Sequence, residues 1–167
     1  CESAISTERG TSLFMVRPPD RWNRPEPSDW YGQSIPSDID FTERNAGDEY
    51  DGRQVVRTTS GWGAIPVSTV SLADVMGGEK VIDLMDMDIQ GAEADLVAAS
   101  VDLWTERVKC LHIGPRSREI DASLIRDLSA AGWINLRAYL CNSQQETLYG
   151  RIDFQDGVQS WLNPAFR

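Results

Sequence analysis

Positive charge is the first property that this sequence has little of. Its 167 residues carry 16 Lys and Arg side chains against 26 Asp and Glu, which gives a formal net charge of -10. The densest basic cluster is only Arg17, Arg21 and Arg24, set among prolines. A surface for nucleic acid or for an anionic membrane needs a stripe of Lys and Arg. We therefore expect neither a nucleic acid nor a membrane as a partner.

Long apolar runs and cysteine are also scarce. No stretch approaches the roughly 20 apolar residues of a membrane-spanning helix, and no basic-then-apolar leader opens the chain. The three cysteines, Cys1, Cys110 and Cys141, form no Cys-x-x-Cys pair. This usage favours reduced thiols and a cytoplasmic location. With 41% hydrophobic and 25% charged residues, the composition is that of one soluble globular domain spanning residues 1–167.

Glycine and proline divide the chain near residue 80. Residues 1–80 include a proline-rich stretch from 18 to 36 and a polar, acidic run from 38 to 53. This half predicts irregular strands and long loops, with short β-type segments at 13–16 and 54–59. Near its end, Ser71 can cap a short helix that Gly77 terminates.

Residues 81–167 predict an α/β core. Apolar runs at 81–87 and 108–113 predict strands, and helical spacing follows each of them, from 91 to about 103 and from 117 to 131. This alternation predicts that the two strands are parallel neighbours with both helices against the sheet. Residues 133–140 and 149–154 predict a closing antiparallel hairpin around a polar loop at 142–147, and residues 157–161 could add a short strand.

Polar residues at the carboxyl ends of the two parallel strands are the candidates for chemistry. Ligands bind at this edge of an open α/β sheet, so Asp88, Gln90 and His112 should open into one crevice there. His112 is the only histidine, and its reference pKa of about 6.5 would let it take a proton from a hydroxyl. Asp88 could instead cap the next helix, and His112 could be a hydrogen-bonded core residue. Asp86, Asp88 and Glu93 could hold a hard cation, but we predict no required metal.

Two aromatic stretches are the other unusual segments. In the first, Trp30 and Tyr31 could stack on a sugar or polyketide while Gln33 bonds its hydroxyls. The second covers residues 156–164. Simple core packing explains either stretch equally well, because the chain has six Trp residues to bury.

Several motifs together resemble the FkbM family of S-adenosylmethionine-dependent methyltransferases. The most specific is Asp88-Ile-Gln-Gly-Ala-Glu93, preceded by Val67-Ser-Thr-Val-Ser-Leu-Ala-Asp74, and Ala4-Ile-Ser6 and Gly132-Trp133 also match. There are two departures. Asp86 stands where the family often has Lys, and the chain lacks the glycine-rich turn and ribose-binding acid of such enzymes.

The resemblance implies a Rossmann-like, mostly parallel methyltransferase sheet of strand order 3-2-1-4-5-7-6, with its amino-terminal strands missing from this chain. It also implies methyl transfer from S-adenosylmethionine to a hydroxyl of a sugar, polyketide or related small molecule. The implied contacts are, for the cofactor, Asp88, Gln90 and Glu93, and for the acceptor, Trp30, Tyr31 and Gln33. His112 would be the base, with Asp88 beside the methyl donor. The isolated chain would then bind the cofactor weakly and transfer no methyl group.

Two other classes of function stay open. One is a non-catalytic binding or interaction module that keeps the same sheet. The other is a metal-dependent hydrolase that uses Asp86, Asp88 and His112. The sequence determines neither the methyl acceptor nor the oligomeric state.

Overall fold

The computed structural model describes residues 3–16, 35, 41–43, 48–59 and 61–166. They belong to two compact units, Cys1–Ser71 and Leu72–Arg167. The boundary between the units thus lies about nine residues before the change of pattern at residue 80. Within the described ranges, no helix is both long and apolar enough to cross a membrane.

The first unit is built around one long strand. Its strands are β1 Ser3–Ile5, β2 Gly10–Val16, β3 Phe41–Glu43, β4 Glu49–Tyr50, β5 Arg53–Gln54, β6 Val56–Thr58 and β7 Gly63–Val70. β7 pairs antiparallel with β2 and β6 and parallel with β1, while β3 extends the sheet beyond β6 and β4 pairs with β5. Val16, Val55, Ile65 and Val67 form a buried cluster of this unit.

β7 was not predicted from the sequence, because Gly61, Gly63 and Pro66 look like strand breakers. The structure explains why Pro66 is tolerated. It lies between the residues of β7 that pair with β6 (63 and 64) and those that pair with β1 (68–70). The missing N–H of Pro66 therefore falls where neither β6 nor β1 needs a donor, and its register partner in the third neighbouring strand, β2, is Leu13.

The second unit is a mixed α/β structure. Its elements are α1 Leu72–Met76, β8 Ile82–Met87, α2 Glu93–Arg107, β9 Val108–Ile113, α3 Arg118–Ala130, β10 Ile134–Tyr139, β11 Ser143–Thr147, β12 Gly150–Phe154 and β13 Val158–Leu162. Four strands form a sheet in the order β10-β13-β9-β8. β8 and β9 are parallel neighbours, with Met87 opposite Ile113, which confirms that prediction.

α3 begins and ends where local signals place it, whereas α2 continues to Arg107, about four residues beyond its predicted end. Ser117 caps α3 by accepting a 3.2 Å hydrogen bond from the N–H of Ile120, and Gly132, at a φ of 85°, follows its last turn. The two crossovers run in the same direction across the sheet, so right-handed connections place α2 and α3 on one face. Leu111 and Trp161, each at most 1% exposed, fill the core of this unit.

The predicted closing hairpin is wrong. β10 pairs with β13, not with residues 149–154, and β13 also pairs with β9. The segment predicted as a loop is β11, which pairs with β12 in a separate hairpin. β13 is the strand inserted into the sheet because its alternate residues Gln159 and Trp161 are fully buried, whereas β12 exposes most of its side chains.

Candidate functional site

The candidate site is the edge where β8 and β9 end side by side. The N–H of Gly114 donates a 3.0 Å hydrogen bond to the carbonyl of Met87, so the two chains leave the sheet together. Asp88 is exposed, and a Cβ added at Gly114 would lie 4.0 Å from its carboxyl carbon. Asp88 therefore lies directly over the end of β9.

The loop after β8 is held from beneath by Glu93. This side chain is 0% exposed, and its carboxylate accepts hydrogen bonds from the N–H groups of Ile89 (3.2 Å) and Gly91 (3.0 and 3.1 Å). These hydrogen bonds support a left-handed backbone at Gln90, which has a φ of 63°. This conformation costs about 1 kcal/mol or more for a residue other than glycine. Such strain is concentrated at functional sites. The carboxylate of Glu93 faces the loop's own amides, so this side chain shapes the site from below.

Asp88 does not cap α2. The residue at the cap position of α2 is Ala92, which makes no side-chain capping hydrogen bond. The carboxylate of Asp88 instead accepts a 3.0 Å hydrogen bond from the side-chain amide of Gln90. Of the two interpretations of Asp88, the cap is therefore the wrong one.

Arg116, which the sequence did not single out, and Asp156, the first residue of the second aromatic stretch, join this edge. The guanidinium of Arg116 donates to the side-chain oxygen of Gln90, and a second nitrogen donates to Asp156 at 3.1 Å. Asp88, Gln90, Arg116 and Asp156 thus form one polar chain across three loops. No periodic pattern marks Arg116, and only its position two residues after Gly114 could have drawn attention to it.

His112 lies in the middle of the sheet, between Asp86 and Ser160. Both are its register partners, on β8 and β13 respectively. Its Nδ1 is 2.9 Å from the hydroxyl oxygen of Ser160. If Nδ1 donates to that oxygen, then Nε2 is the nitrogen that can accept a proton. His112 is half-buried, so it is more accessible than a core imidazole.

The register gives the spacing between the two predicted catalytic residues. Asp86 is opposite His112, and Asp88 follows two residues later, which places the Cα atoms of Asp88 and His112 about 8 Å apart. That they open into one ligand crevice with Gln90 stays a prediction. The predicted acceptor residues Trp30, Tyr31 and Gln33 lie outside the described residues.

The carboxyl-terminal aromatic stretch is mostly core. Gln159, Trp161 and Asn163 are at most 1% exposed. Gln159 accepts a 3.0 Å hydrogen bond from the indole of Trp161 and donates one of 2.9 Å to the buried carboxylate of Asp121. Packing therefore explains this stretch, apart from Asp156.

The described part of the chain contains no group of three or more His, Cys, Asp or Glu side chains arranged to hold a metal ion. Asp86, Asp88 and His112 accordingly do not form such a group.

Comparison with known proteins gives one informative similarity. No family model matches the chain, and no solved structure matches it. A protein of Jannaschia sp. (strain CCS1), described as "Putative methyltransferase", is 34% identical over a region that covers 43% of this chain and 33% of that protein. The chain spans about a third of the length of this curated relative. The similarity supports a methyltransferase in general, and it does not distinguish the FkbM family.

Proposed function

We propose that this chain is part of an S-adenosylmethionine-dependent methyltransferase of the FkbM type. The observation that carries the proposal is the strand order of the second unit. In chain order, β8, β9, β10 and β13 correspond to strands 4, 5, 6 and 7 of the family. Their spatial order in the sheet, β8-β9-β13-β10, is therefore 4-5-7-6, which matches the second half of the family order. The hairpin of β11 and β12 is an addition between the last two. The motif from Asp88 to Glu93 follows the first of these strands, as the resemblance requires.

The residues at this edge fit part of the cofactor. When bound, S-adenosylmethionine would supply a methyl group activated on a sulfonium sulfur. Asp88 and Gln90 offer polar side chains at the strand end, and a Cβ added at Gly91 would meet nothing within 4 Å, so a ligand can approach the backbone there. We assign Glu93 to positioning this loop, since its carboxylate already binds the loop's amides.

Methyl transfer to a hydroxyl also needs a base for the hydroxyl proton. His112 would accept that proton at Nε2 while Nδ1 donates to Ser160, whose hydroxyl oxygen can accept. A sugar or polyketide hydroxyl remains the proposed acceptor, with Trp30, Tyr31 and Gln33 as its proposed contacts. The free thiols of Cys110 and Cys141 agree with the cytoplasmic location that we propose.

Calorimetric titration with S-adenosylhomocysteine tests how the cofactor site is distributed. Since this chain lacks the glycine-rich turn and the ribose-binding acid, we expect the 167 residues alone to bind it only in the high micromolar range. Binding in the low micromolar range would mean that the cofactor site lies within these residues.

The product of the whole reading frame tests the site itself. There, Asp88→Ala should weaken cofactor binding at least tenfold and lower methyl transfer to hydroxyl acceptors. The matched control is Asp83→Ala, because Asp83 lies on β8, the strand that Asp88 follows, and pairs with Lys109 at the surface. Equal cofactor affinity in the two variants would contradict the assignment of Asp88.

A further inference from the structure

The hairpin of β11 and β12 is the part of the second unit that its own fold leaves least supported. The two strands pair only with each other among the described residues. An isolated two-stranded hairpin is marginally stable in water, and its unpaired edges are templates for another strand. The base of the hairpin is anchored, since the ring of Phe154 stacks on Tyr139 with centroids 4.6 Å apart. What the hairpin lacks is a partner along its edge.

The tip of the hairpin carries two large apolar side chains that its turn does not need. Leu148 is 100% exposed and Tyr149 is 97% exposed. The turn is held by the hydroxyl of Thr147, which donates to the carbonyl of Gly150 (2.7 Å) and accepts from the N–H of Tyr149 (3.1 Å). Neither bond uses the side chain of Leu148 or Tyr149. The two side chains therefore form an exposed tip that the hairpin itself does not use.

The charges along β12 are complementary to a second copy of β12. Within one copy, Arg151 and Asp153 lie 3.6 Å apart as an exposed ion pair. Antiparallel self-pairing centred on Ile152 sets Arg151 of each copy opposite Asp153 of the other, so the same two charges can also pair between copies, and it sets the two Ile152 side chains opposite each other. Opposite charges in facing positions stabilise a ladder, and like charges destabilise it. Registers centred on Arg151 or on Asp153 would bring like charges together. β11 has no such pattern, because self-pairing about Gln145 sets Gln144 opposite Glu146.

We propose that β12 pairs antiparallel with β12 of a second copy, forming a continuous β11-β12-β12-β11 sheet across a twofold axis. Ile152 is 44% exposed and the side chains of Arg151 and Asp153 are 57% and 59% exposed, so this edge is open for pairing. The same register brings Tyr149 opposite Gln155 of the second copy, next to the stacked aromatic pair at that copy's hairpin base. The proposal thus gives a use to the exposed tip as well as to the edge.

A charge-exchange experiment on the 167-residue chain tests the register. We expect concentration-dependent dimers in sedimentation velocity. R151D alone places Asp opposite Asp153, and D153R alone places Arg opposite Arg151, so each should weaken dimerisation about tenfold or more. An equimolar mixture of the two variants sets Asp opposite Arg at both positions. That mixture should regain dimers, seen as a heterodimer in native mass spectrometry.

The control is R126D on α3, which makes the same change of net charge as R151D; Arg126 is 69% exposed, and this variant should leave the dimer intact. Two results would overturn the proposal. One is a chain that stays monomeric at all concentrations, and the other is a mixture that regains no dimer although both variants are folded by circular dichroism. The outcome does not depend on methyl transfer, so it is separate from the proposed function.

Discussion

Replacing Glu93 by Ala should release the loop after β8 and destabilise the second unit. The buried carboxylate accepts hydrogen bonds from two backbone N–H groups, those of Ile89 and Gly91. A buried donor left without a partner costs about 1–3 kcal/mol, but Gly91 is exposed and its N–H can turn to water. Removing the buried carboxylate also offsets part of the cost of the lost hydrogen bonds. We therefore expect a net loss of about 2–4 kcal/mol.

Glu93→Gln separates the hydrogen bonds from the packing. It keeps the shape of the side chain and one acceptor oxygen but turns an NH2 group toward the N–H of Gly91. We therefore expect the free energy of unfolding to fall by about 1–2 kcal/mol. Urea denaturation followed by tryptophan fluorescence measures both variants, since Trp104 and Trp161 are buried in this unit. Hydrogen exchange at the Gly91 amide should rise at least tenfold in the Ala variant. As a control, replacing the exposed Glu106 of the same helix by Ala should lower the free energy of unfolding by less than about 0.5 kcal/mol. A Glu93→Ala protein as stable as the Glu106→Ala variant, with unchanged exchange at the Gly91 amide, would show that the Glu93 carboxylate does not hold this loop.

Three further changes test other parts of this unit. Gly157→Ala should cost about 1–3 kcal/mol in urea denaturation, because its Cβ would lie 2.7 Å from the ring of Pro115, and an unchanged midpoint would show that the loop has room. Ser117→Ala should cost about 1 kcal/mol through loss of the α3 cap. The Ser117 hydroxyl also holds the pKa of Glu119 below its ordinary value, so an NMR titration should show that pKa rise in the variant. Because the pKa of Glu119 is lower in the folded state than in the unfolded state, this hydrogen bond stabilises the fold at pH values above the unfolded-state pKa. That stabilisation is lost as the pH falls through the folded-state pKa, so the cost of Ser117→Ala should be smaller in acid. In the product of the whole reading frame, His112→Ala should lower methyl transfer between pH 6 and 9, and unchanged turnover would remove His112 from the mechanism.

Local patterns predicted the framework of the candidate site well. The apolar runs before Asp88 and Gly114 are β8 and β9, and they are parallel neighbours because a helix of the right length connects them. A strand end followed by a polar residue and a glycine is a local feature, so the position of Asp88 and Gln90 at the sheet edge could be read from the chain. The role of Glu93 could not, because nothing in the motif tells whether a carboxylate faces a ligand or the loop's own amides.

The sequence by itself determined which segments of the second unit are strands and helices, except β11, since each carries its own period of apolar residues. Only the tertiary structure decided that β13 enters the sheet between β9 and β10 while β11 and β12 stay outside it. It also decided that Arg116 reaches Gln90 and Asp156. Both outcomes depend on contacts between residues far apart in the chain. The burial of Gln159 and Trp161 selects one pairing among several that the local patterns allow equally, so the choice is made by packing and not by any single segment.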